Sequence, residues 1–221
     1  MSSTDDGSAL ASLPGLTTAR VADTLDQLGH RQQVCTPVLR AVGPGMRLVG
    51  RAVTVAFEGD DVEPGDDPYA AMIALIDGLR RGDVLVIAAG GDDRTAYWGQ
   101  LFSAAARGHG AHGVVCDGPV RDMAQIVALD FPVFATGSRP VDYRGRMRVC
   151  STGESVSVAG VPVSPGDTVI ADDDGVVIVP AAVDAIAAER MSARAEAEGL
   201  VLDELLGGAS LRQVWDRHRV L

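Results

Sequence analysis

The fold class is predicted by residues 83–136, which read DVLVIAAGGDDRTAYWGQLFSAAARGHGAHGVVCDGPVRDMAQIVALDFPVFAT. Three short apolar runs, at 83–89, 112–117 and 131–136, are each bounded by turn residues, as buried strands are. A helix ending at Gly108 is predicted between the first two runs, and VRDMAQIVALD is predicted as a helix between the last two. This alternation with short connections predicts parallel strands joined by right-handed crossovers.

The region before these strands adds three elements and a loop. LTTARVADTLDQLG has helical spacing of its apolar residues and ends at Gly29, and residues 48–57 carry the alternation of a strand. The acidic run EGDDVEPGDD at 58–67 predicts a solvated loop. Asp67-Pro68 is a cap and first-turn pair for a helix in YAAMIALIDGLRR that we expect Gly82 to close.

The chain after residue 145 predicts antiparallel hairpins. Short β-rich runs are separated by Ala159-Gly160, Pro165-Gly166 and Asp174-Gly175, which are turn pairs. A helix is expected after Pro180, and a shorter tail helix ends the chain. The helix after Pro180 has one side made of Ile186, Ala187, Arg190 and Met191.

These elements predict one mixed α/β domain over residues 1–221, with a parallel strand–helix unit and a hairpin-rich C-terminal part. Residues 181–221 are the predicted C-terminal helices. The first fifteen residues, MSSTDDGSALASLPG, have neither the basic nor the apolar region of a signal peptide, so a frayed terminus is expected over 1–15.

Composition excludes several classes of function. All 19 basic residues are arginine, so no lysine can form a Schiff base with a keto substrate, bind pyridoxal phosphate or complete a Walker-A loop. A net charge of −11 disfavours nucleic acid and anionic membranes as partners. The three cysteines form no C-x-x-C pair, and no apolar run reaches the length of a membrane span. We therefore expect a soluble cytoplasmic protein.

Two motif-like stretches are better explained as turns. GHGAHG at 108–113 matches a G-x-G-x-x-G pattern, but a dinucleotide fingerprint follows a strand and opens a helix, whereas this one precedes a strand. Its His109 and His112 are predicted as ordinary loop histidines, because three-residue spacing aligns metal ligands only on a helix, which glycines break. The run DDDG at 172–175 lacks the ligand spacing of a calcium loop and predicts a hairpin turn.

The stretch GPVRD at 118–122 is the first candidate site. Proline at the first helical position would place Arg121 and Asp122 in the opening turn of a helix, at the carboxyl end of a parallel strand, where open α/β sheets bind ligands. Helix N–H groups favour an anion, a guanidinium grips a carboxylate through two parallel bonds, and an aspartate can hold Mg²⁺ with waters. The alternative is a charge pair that only decorates the start of a helix.

A second loop and helix start, DDRTAYWGQLFSAAARG, is expected beside the first. Gly99 permits close approach of a neighbouring backbone or side chain, and the amides of residues 100–102 are candidate free donors. Tyr97 and Trp98 are expected to pack in the core. Two helix starts, an arginine and a metal-binding carboxylate would together receive a small anionic keto acid.

The stretch YWGQLFSAAARGHGAHGVVCDGPVRD closely resembles the signature of the RraA-like family. TTARVADTLDQLG, MRLVGRAVTV, RRGDVLVIAAGG and VSPGDTVIADDDGVVIVP also sit in family-like order, so the resemblance covers nearly the whole chain. It implies a single compact three-layer β/β/α domain of the swivelling type. It also implies assembly as a homotrimer or as a hexamer of two trimers, with the active site at a subunit interface.

The resemblance assigns roles to individual residues. Asp122 would hold the divalent metal, Mg²⁺ or Mn²⁺, partly through water, and Arg121 would contact the oxygens of the keto acid. A glutamate from the C-terminal segment RAEAEG of the neighbouring subunit would complete the site, with Glu198 as the closest match and Glu196 as an alternative. The loop implied to bind the substrate through its backbone amides consists of Gly99, Gln100, Leu101 and Phe102.

The resemblance also implies a reaction. The family includes metal-dependent pyruvate aldolases that act on 4-hydroxy-4-methyl-2-oxoglutarate and 4-carboxy-4-hydroxy-2-oxoadipate, so a C–C lyase acting on a small 2-oxo acid through a pyruvate enolate is expected. Many members have an acidic residue where this chain has Gln100, and a neutral amide cannot act as a base. Decarboxylation of oxaloacetate uses the same enolate with less base chemistry and should suffer less from this change.

Two other functions are associated with the family. It is named after a regulator of ribonuclease E, so a non-catalytic protein-binding regulator is the alternative expectation. Many members also carry a demethylmenaquinone methyltransferase label, but here no glycine-rich adenosylmethionine loop opens a helix after the first strand of the parallel unit.

Overall fold

The structure is a computed structural model that describes residues 8–36, 39–59 and 67–219, without the side chains of residues 195–197. The helices are α1 (Thr18–Gln27), α2 (Ala70–Asp77), α3 (Gln100–Gly108), α4 (Met123–Ala128), α5 (Asp184–Leu206) and α6 (Leu211–His218). The strands are β1 (Arg40–Ala41), β2 (Leu48–Gly59), β3 (Asp83–Ala88), β4 (Gly113–Cys116), β5 (Pro119–Val120), β6 (Val133–Ala135), β7 (Gly137–Ser138), β8 (Met147–Thr152), β9 (Val156–Val158), β10 (Val161–Val163), β11 (Thr168–Asp172) and β12 (Gly175–Val179).

Eight strands form the central sheet in the order β1–β6–β4–β3–β2–β11–β12, with β8 also paired to β2. β2, β3, β4 and β6 are parallel, as the strand–helix alternation predicts. The long β2 pairs with β11 through residues 48–51 and with β8 through residues 55–59, with an irregularity between Ala56 and Phe57. The C-terminal strands β8, β11 and β12 therefore continue the same sheet as the parallel unit.

The two faces of this sheet are covered differently. Side chains such as Leu85 and Val114 point to one face and pack with α2, α3 and α4. Side chains such as Val84 and Val86 point to the other face and pack with the β9–β10 hairpin. Alternation along each strand thus fills a core on each face, because successive side chains leave a strand on opposite faces. A third cluster packs α1 and α5 against β11 and β12. Hairpin, sheet and helices form the three layers, which confirms the predicted α/β class.

Two of the three predicted hairpins are present. The turn at Ala159-Gly160 joins β9 to β10, and residues 173–174 join β11 to β12. The hairpin predicted at Pro165-Gly166 is wrong, since β10 and β11 belong to different sheets. The Gly166 amide instead donates to the Ala52 carbonyl of β2 at 3.0 Å, which docks this connection onto the central sheet.

The end of α2 also differs from the prediction. The helix ends at Asp77 with Gly78 as its C-cap, one turn before the expected Gly82. Leu79 turns into the core, and the backbone amide of Arg80 donates to the Asp83 carboxylate at 2.7 Å. Burial of Leu79 and the turn into β3 therefore end the helix, although the helical propensity of the sequence extends beyond Gly78.

Residues 8–12 correct the expectation of a frayed terminus over residues 1–15. Leu10 is fully buried, and the carboxylate of Asp184 accepts hydrogen bonds from the Ser8 hydroxyl at 2.6 Å and the Ala9 amide at 2.7 Å. The buried start of α5 therefore holds this segment. Residues 1–7 lie outside the described residues, as do residues 60–66 of the predicted acidic loop.

The helix expected after Pro180 is α5, which packs against α1. On the side predicted for it, Ala187 and Met191 are buried, whereas Ile186 and Arg190 are exposed. Ala187 and Met191 are four residues apart and lie on the same side of the helix. Ile186 and Arg190 each precede one of them by one residue, a step of about 100° around the helix, and therefore point away from α1. None of the helices in the described residues is both long and apolar enough to cross a membrane.

Candidate functional site

The two predicted loops meet at one edge of the sheet. β3 and β4 are parallel neighbours, so the segments that follow them start from the same edge. Backbone hydrogen bonds then join the segments: the Tyr97 amide donates to the Pro119 carbonyl at 3.0 Å, and the Arg121 amide donates to the Trp98 carbonyl at 2.9 Å. This ladder brings Gly99, the N-cap of α3, beside Arg121, as the sequence predicts.

A side chain at Gly99 would crowd the side chains of Arg121 and Asp122. A Cβ at this position would lie 2.9 Å from Oδ2 of Asp122 and 3.1 Å from Cγ of Arg121. The glycine backbone is extended, with φ −164°, so the requirement is for space and not for an unusual conformation. The close approach allows the backbone amide of Gln100, the first residue of α3, to donate to Oδ2 of Asp122 at 3.1 Å.

The local structure around Asp122 corrects one expectation. Pro119 does not begin a helix but lies in β5, which pairs with β7, because its carbonyl is engaged by the neighbouring loop. α4 starts only at Met123, and Asp122 is its N-cap residue, in the left-handed region with φ 59°. This conformation points the carboxylate back toward α3. Both predicted helix starts are therefore present, but α4 starts at Met123, four residues after the predicted Pro119.

Arg121 has a partner that sequence analysis missed. Its Nη2 lies 2.7 Å from Oδ2 of Asp142, and its Nε lies 3.9 Å from Oδ2 of Asp122. Asp142 lies between β7 and β8 and is brought to the site by a parallel bridge to Ala96, whose amide donates to the Val141 carbonyl at 2.7 Å. No spacing rule marks Asp142 in the sequence, since the contact depends on a long-range pairing of two loops.

A cavity of about 260 Å³ lies where these groups meet. Every member of the predicted substrate loop borders it, and so do Arg121 and Asp122, so the structure brings these predicted residues together. Their catalytic and binding roles stay predictions. The residues that line the cavity are Tyr69, Ile73, Ala96, Tyr97, Trp98, Gly99, Gln100, Leu101, Phe102, Arg121, Asp122, Asp142 and Tyr143.

Tyr97 and Trp98 are buried in the core, as predicted, and also form part of the cavity wall. The indole N–H of Trp98 donates to the Ser103 hydroxyl at 2.7 Å, and that hydroxyl donates to the Gly99 carbonyl at 3.0 Å. The Tyr97 hydroxyl donates to Asp92 at 2.9 Å. These bonds fix the loop that carries Gly99, so the core packing of both aromatic residues also positions the site.

Two further tyrosines border the cavity and were not found from the sequence. Burial, followed by the charge of Asp142, raises the pKa of both Tyr69 and Tyr143, so both phenols stay protonated at neutral pH. The buried Tyr143 hydroxyl has no hydrogen-bond partner among the described residues. The sequence does not predict that these two tyrosines meet at one cavity, because Tyr69 lies before α2 and Tyr143 lies before β8, far apart in the chain.

Glu198 lies away from the cavity of its own chain. It is on α5, where its carboxylate forms an ion pair with Nε of Arg20 at 2.8 Å and lies 3.7 Å from Nε of Arg194. Its role toward a neighbouring subunit stays a prediction. The side chain of Glu196, the alternative, lies outside the described residues.

The donor set fits a divalent metal held by a single protein carboxylate. Asp122 has a side chain 41% exposed, and no described residue donates to its Oδ1. Mg²⁺ is commonly bound through one or two carboxylates, with waters and substrate oxygens completing its shell. The described residues contain no group of three or more His, Cys, Asp or Glu side chains that could hold an ion without such help.

His112, which the sequence predicts to be an ordinary loop histidine, contacts the Val49 carbonyl through Nδ1 at 2.7 Å.

The chain is similar in sequence and in fold to several known proteins. A sequence model of the RraA-like family, described as Aldolase/RraA, matches residues 18–178. The chain is 32% identical over 163 residues to a protein of Halalkalibacterium halodurans provisionally named 4-hydroxy-4-methyl-2-oxoglutarate aldolase, a match that covers 74% of this chain and 72% of that one. It is 29% identical over 171 residues to protein DlpA of Legionella pneumophila, a match that covers 77% of this chain but only 27% of that relative.

Among solved structures, Streptomyces coelicolor RraAS2 matches with a TM-score of 0.79 and 27% identity, over 90% of this chain and 98% of that one. That protein is described as an unusual member of the RNase ES inhibitor RraA protein family.

Proposed function

The chain belongs to the RraA-like family, and we propose that it is a divalent-metal-dependent C–C lyase that acts on a small 2-oxo acid through a pyruvate enolate. The observation that carries this proposal is the convergence of Arg121, Asp122 and the loop at residues 99–102 on one cavity. The similarity to a protein provisionally named as an aldolase supports the reaction class.

Each group has a distinct task in this proposal. Arg121 binds the oxygens of the keto acid and stabilises the negative charge that develops on the enolate oxygen. The amides of Leu101 and Phe102, in the first turn of α3, have no acceptor within their helix and are available to the carboxylate of the substrate. A divalent cation held by Asp122 supplies Lewis-acid stabilisation of the enolate, on the order of several kcal/mol.

Gln100 favours decarboxylation over aldol cleavage. Aldol cleavage requires removal of the proton from the C4 hydroxyl, and the Gln100 amide cannot accept it. Decarboxylation of oxaloacetate releases CO₂ from C4, leaves the electron pair in the enolate and requires only protonation at C3. Oxaloacetate is therefore the first substrate to test.

The test is pyruvate release from oxaloacetate with Mg²⁺ or Mn²⁺, measured above the protein-free rate at the same metal concentration. We expect EDTA and the substitution Asp122→Ala each to abolish the enzymatic part of the rate. Asp77→Ala, which removes an exposed carboxylate outside the cavity, is the matched control and should keep full activity. Turnover that survives EDTA, or that survives Asp122→Ala at the wild-type level, would refute the mechanism.

A second candidate is a non-catalytic, protein-binding regulator of ribonuclease E type, favoured by the similarity to RraAS2. Its test is inhibition of a ribonuclease E-type enzyme by the purified protein. Inhibition that is unchanged in Asp122→Ala, together with no pyruvate release from oxaloacetate, would favour the regulator over the lyase.

We also propose that the chain assembles as a homotrimer or as a hexamer of two trimers, with Glu198 reaching the site of a neighbouring copy. Light scattering on the purified protein should give three or six times the chain mass of 22.9 kDa. A monomer with full lyase activity would contradict this proposal.

A further inference from the structure

A second cavity adjoins the candidate site. It has a volume of about 350 Å³ and shares Arg121 and Asp122 with the first cavity. The other residues that line it are Met123, Ser138, Arg139 and Pro140. A ligand held at Arg121 and Asp122 can therefore extend in either of two directions, toward the aromatic side chains of the first cavity or toward Arg139.

The backbone places Arg139 beside Arg121. Strands β5 and β7 pair in parallel with Val120 opposite Ser138, and the Arg139 amide donates to the Val120 carbonyl at 2.9 Å. The two arginines are therefore the next residues after two paired positions, on neighbouring chain segments that lie about 5 Å apart. Like charges at such neighbouring positions are destabilising. An anion bound beside both side chains would offset this repulsion.

The guanidinium of Arg139 keeps hydrogen-bond donors for a ligand. Its Nε donates to the Asp93 backbone carbonyl at 2.9 Å, which orients the side chain. Its Nη2 lies 3.9 Å from Oδ2 of Asp93, whose side chain is 80% exposed, so this ion pair is weak. The guanidinium has no other hydrogen-bond partner among the described residues, and the N–H groups of Nη1 and Nη2 can bind a carboxylate.

The charges that line the two cavities suit a ligand with two negative charges. Among the described lining residues, Asp122 and Asp142 balance Arg121 and Arg139, so the net charge is zero. A divalent cation at Asp122 would raise this sum to +2, the opposite of the charge of a 2-oxo acid with two carboxylates. With the keto-acid end at Arg121 and Asp122, Arg139 is the cation that faces the second carboxylate.

Given the proposed lyase function, on which this inference rests, we propose that Arg139 is a specificity-determining residue that binds the distal carboxylate of a dicarboxylic 2-oxo acid. The distal carboxylate then lies in the second cavity, where the exposed Ser138 hydroxyl is a further donor. Arg139 selects the acid by its charge and takes no part in bond cleavage.

The experiment compares binding of 2-oxoglutarate and 2-oxopentanoate by calorimetry with Mg²⁺ present. Both acids have five carbons and the same keto-acid end, and a methyl group in the second acid replaces the distal carboxylate of the first. We expect the wild-type protein to bind 2-oxoglutarate at least fivefold more tightly, a modest ratio because Arg139 is 51% exposed and water screens the contact. Arg139→Gln should remove this preference and leave the binding of 2-oxopentanoate unchanged, which also shows that the site is intact.

Arg148→Gln is the matched control. Arg148 forms an exposed ion pair with Glu58 and lines neither cavity, so this variant removes the same charge from outside the site and should keep the preference. Equal or weaker binding of 2-oxoglutarate by the wild-type protein would overturn the inference. A preference that survives Arg139→Gln, or no binding of either acid, would also overturn it.

Oxaloacetate is not the probe here, because its distal carboxylate leaves as CO₂ during the reaction. Its turnover tests the lyase proposal separately, through metal-dependent release of pyruvate. A preference for 2-oxoglutarate that is lost in Arg139→Gln, without any pyruvate release by the wild-type protein, would support the role of Arg139 and refute the lyase. Pyruvate release without this preference would refute the role of Arg139 alone.

Discussion

The substitution Gly99→Ala tests whether the contact between the two loops sets the activity. The new Cβ would lie 2.9 Å from Oδ2 of Asp122, whereas ordinary contact begins at 3.4 Å, so the carboxylate must withdraw by about 0.5 Å. Its hydrogen bond from the Gln100 amide would lengthen from 3.1 Å to about 3.6 Å, which is beyond hydrogen-bond range. Because misplacement of catalytic groups on this scale is costly, we expect turnover to fall by about 10- to 100-fold.

The same substitution should leave the fold intact. Alanine adopts an extended backbone without strain, and the displaced atoms belong to side chains that can move. The matched control is Gly108→Ala at the other end of α3, where a Cβ meets nothing within 4 Å. The assay pairs metal-dependent pyruvate release from oxaloacetate with thermal denaturation. Wild-type turnover in Gly99→Ala, or a loss of activity that only follows a loss of folded protein, would refute the reasoning.

Three further changes have defined outcomes. Arg121→Lys should lower the same turnover by about 10-fold or more, because an ammonium keeps the charge but not the planar fork of donors; an unchanged rate would show that the charge alone suffices. Ser103→Ala should destabilise the protein by about 1–3 kcal/mol in chemical denaturation, since it leaves the buried indole N–H of Trp98 without its acceptor. Hydrogen bonds from Thr18 outweigh desolvation by burial and lower the pKa of Asp172. The charged carboxylate therefore stabilises the folded protein above the unfolded pKa of about 3.9, and this stabilisation is lost as pH falls through the folded pKa. Asp172→Asn should therefore show a shallower loss of thermal stability on acidification than the wild type, and parallel curves would contradict this.

The strands of the parallel unit were predictable because they are short, apolar and bounded by turns, a pattern that burial on both faces imposes. Helix ends were less predictable. The sequence around Gly78 is compatible with a longer helix, and α2 stops early because Leu79 is buried and Asp83 caps the turn into β3. Likewise, the pairing of Pro165-Gly166 with β2 is a tertiary contact that local turn chemistry cannot reveal.

The candidate site was likewise predictable from the sequence only in part. Gly99, Arg121 and Asp122 were identifiable, because they follow two adjacent parallel strands and the sheet itself brings their loops together. The left-handed conformation of Asp122 was not, since the chain contains a proline three residues earlier that is equally typical of a helix start. Asp142 was also missed, because its place beside Arg121 depends on a bridge to Ala96 that forms only in the folded chain.

Asp142 changes the charge that a substrate meets. Sequence analysis marked one arginine and one aspartate, a neutral pair, whereas the charged residues that line the cavity are Arg121 against Asp122 and Asp142, a net charge of −1. A net negative charge in the cavity disfavours binding of a 2-oxo acid anion. A divalent cation at Asp122 would change this sum to +1, which attracts the carboxylate of a 2-oxo acid. The charge count of the cavity therefore supports the proposed metal at Asp122.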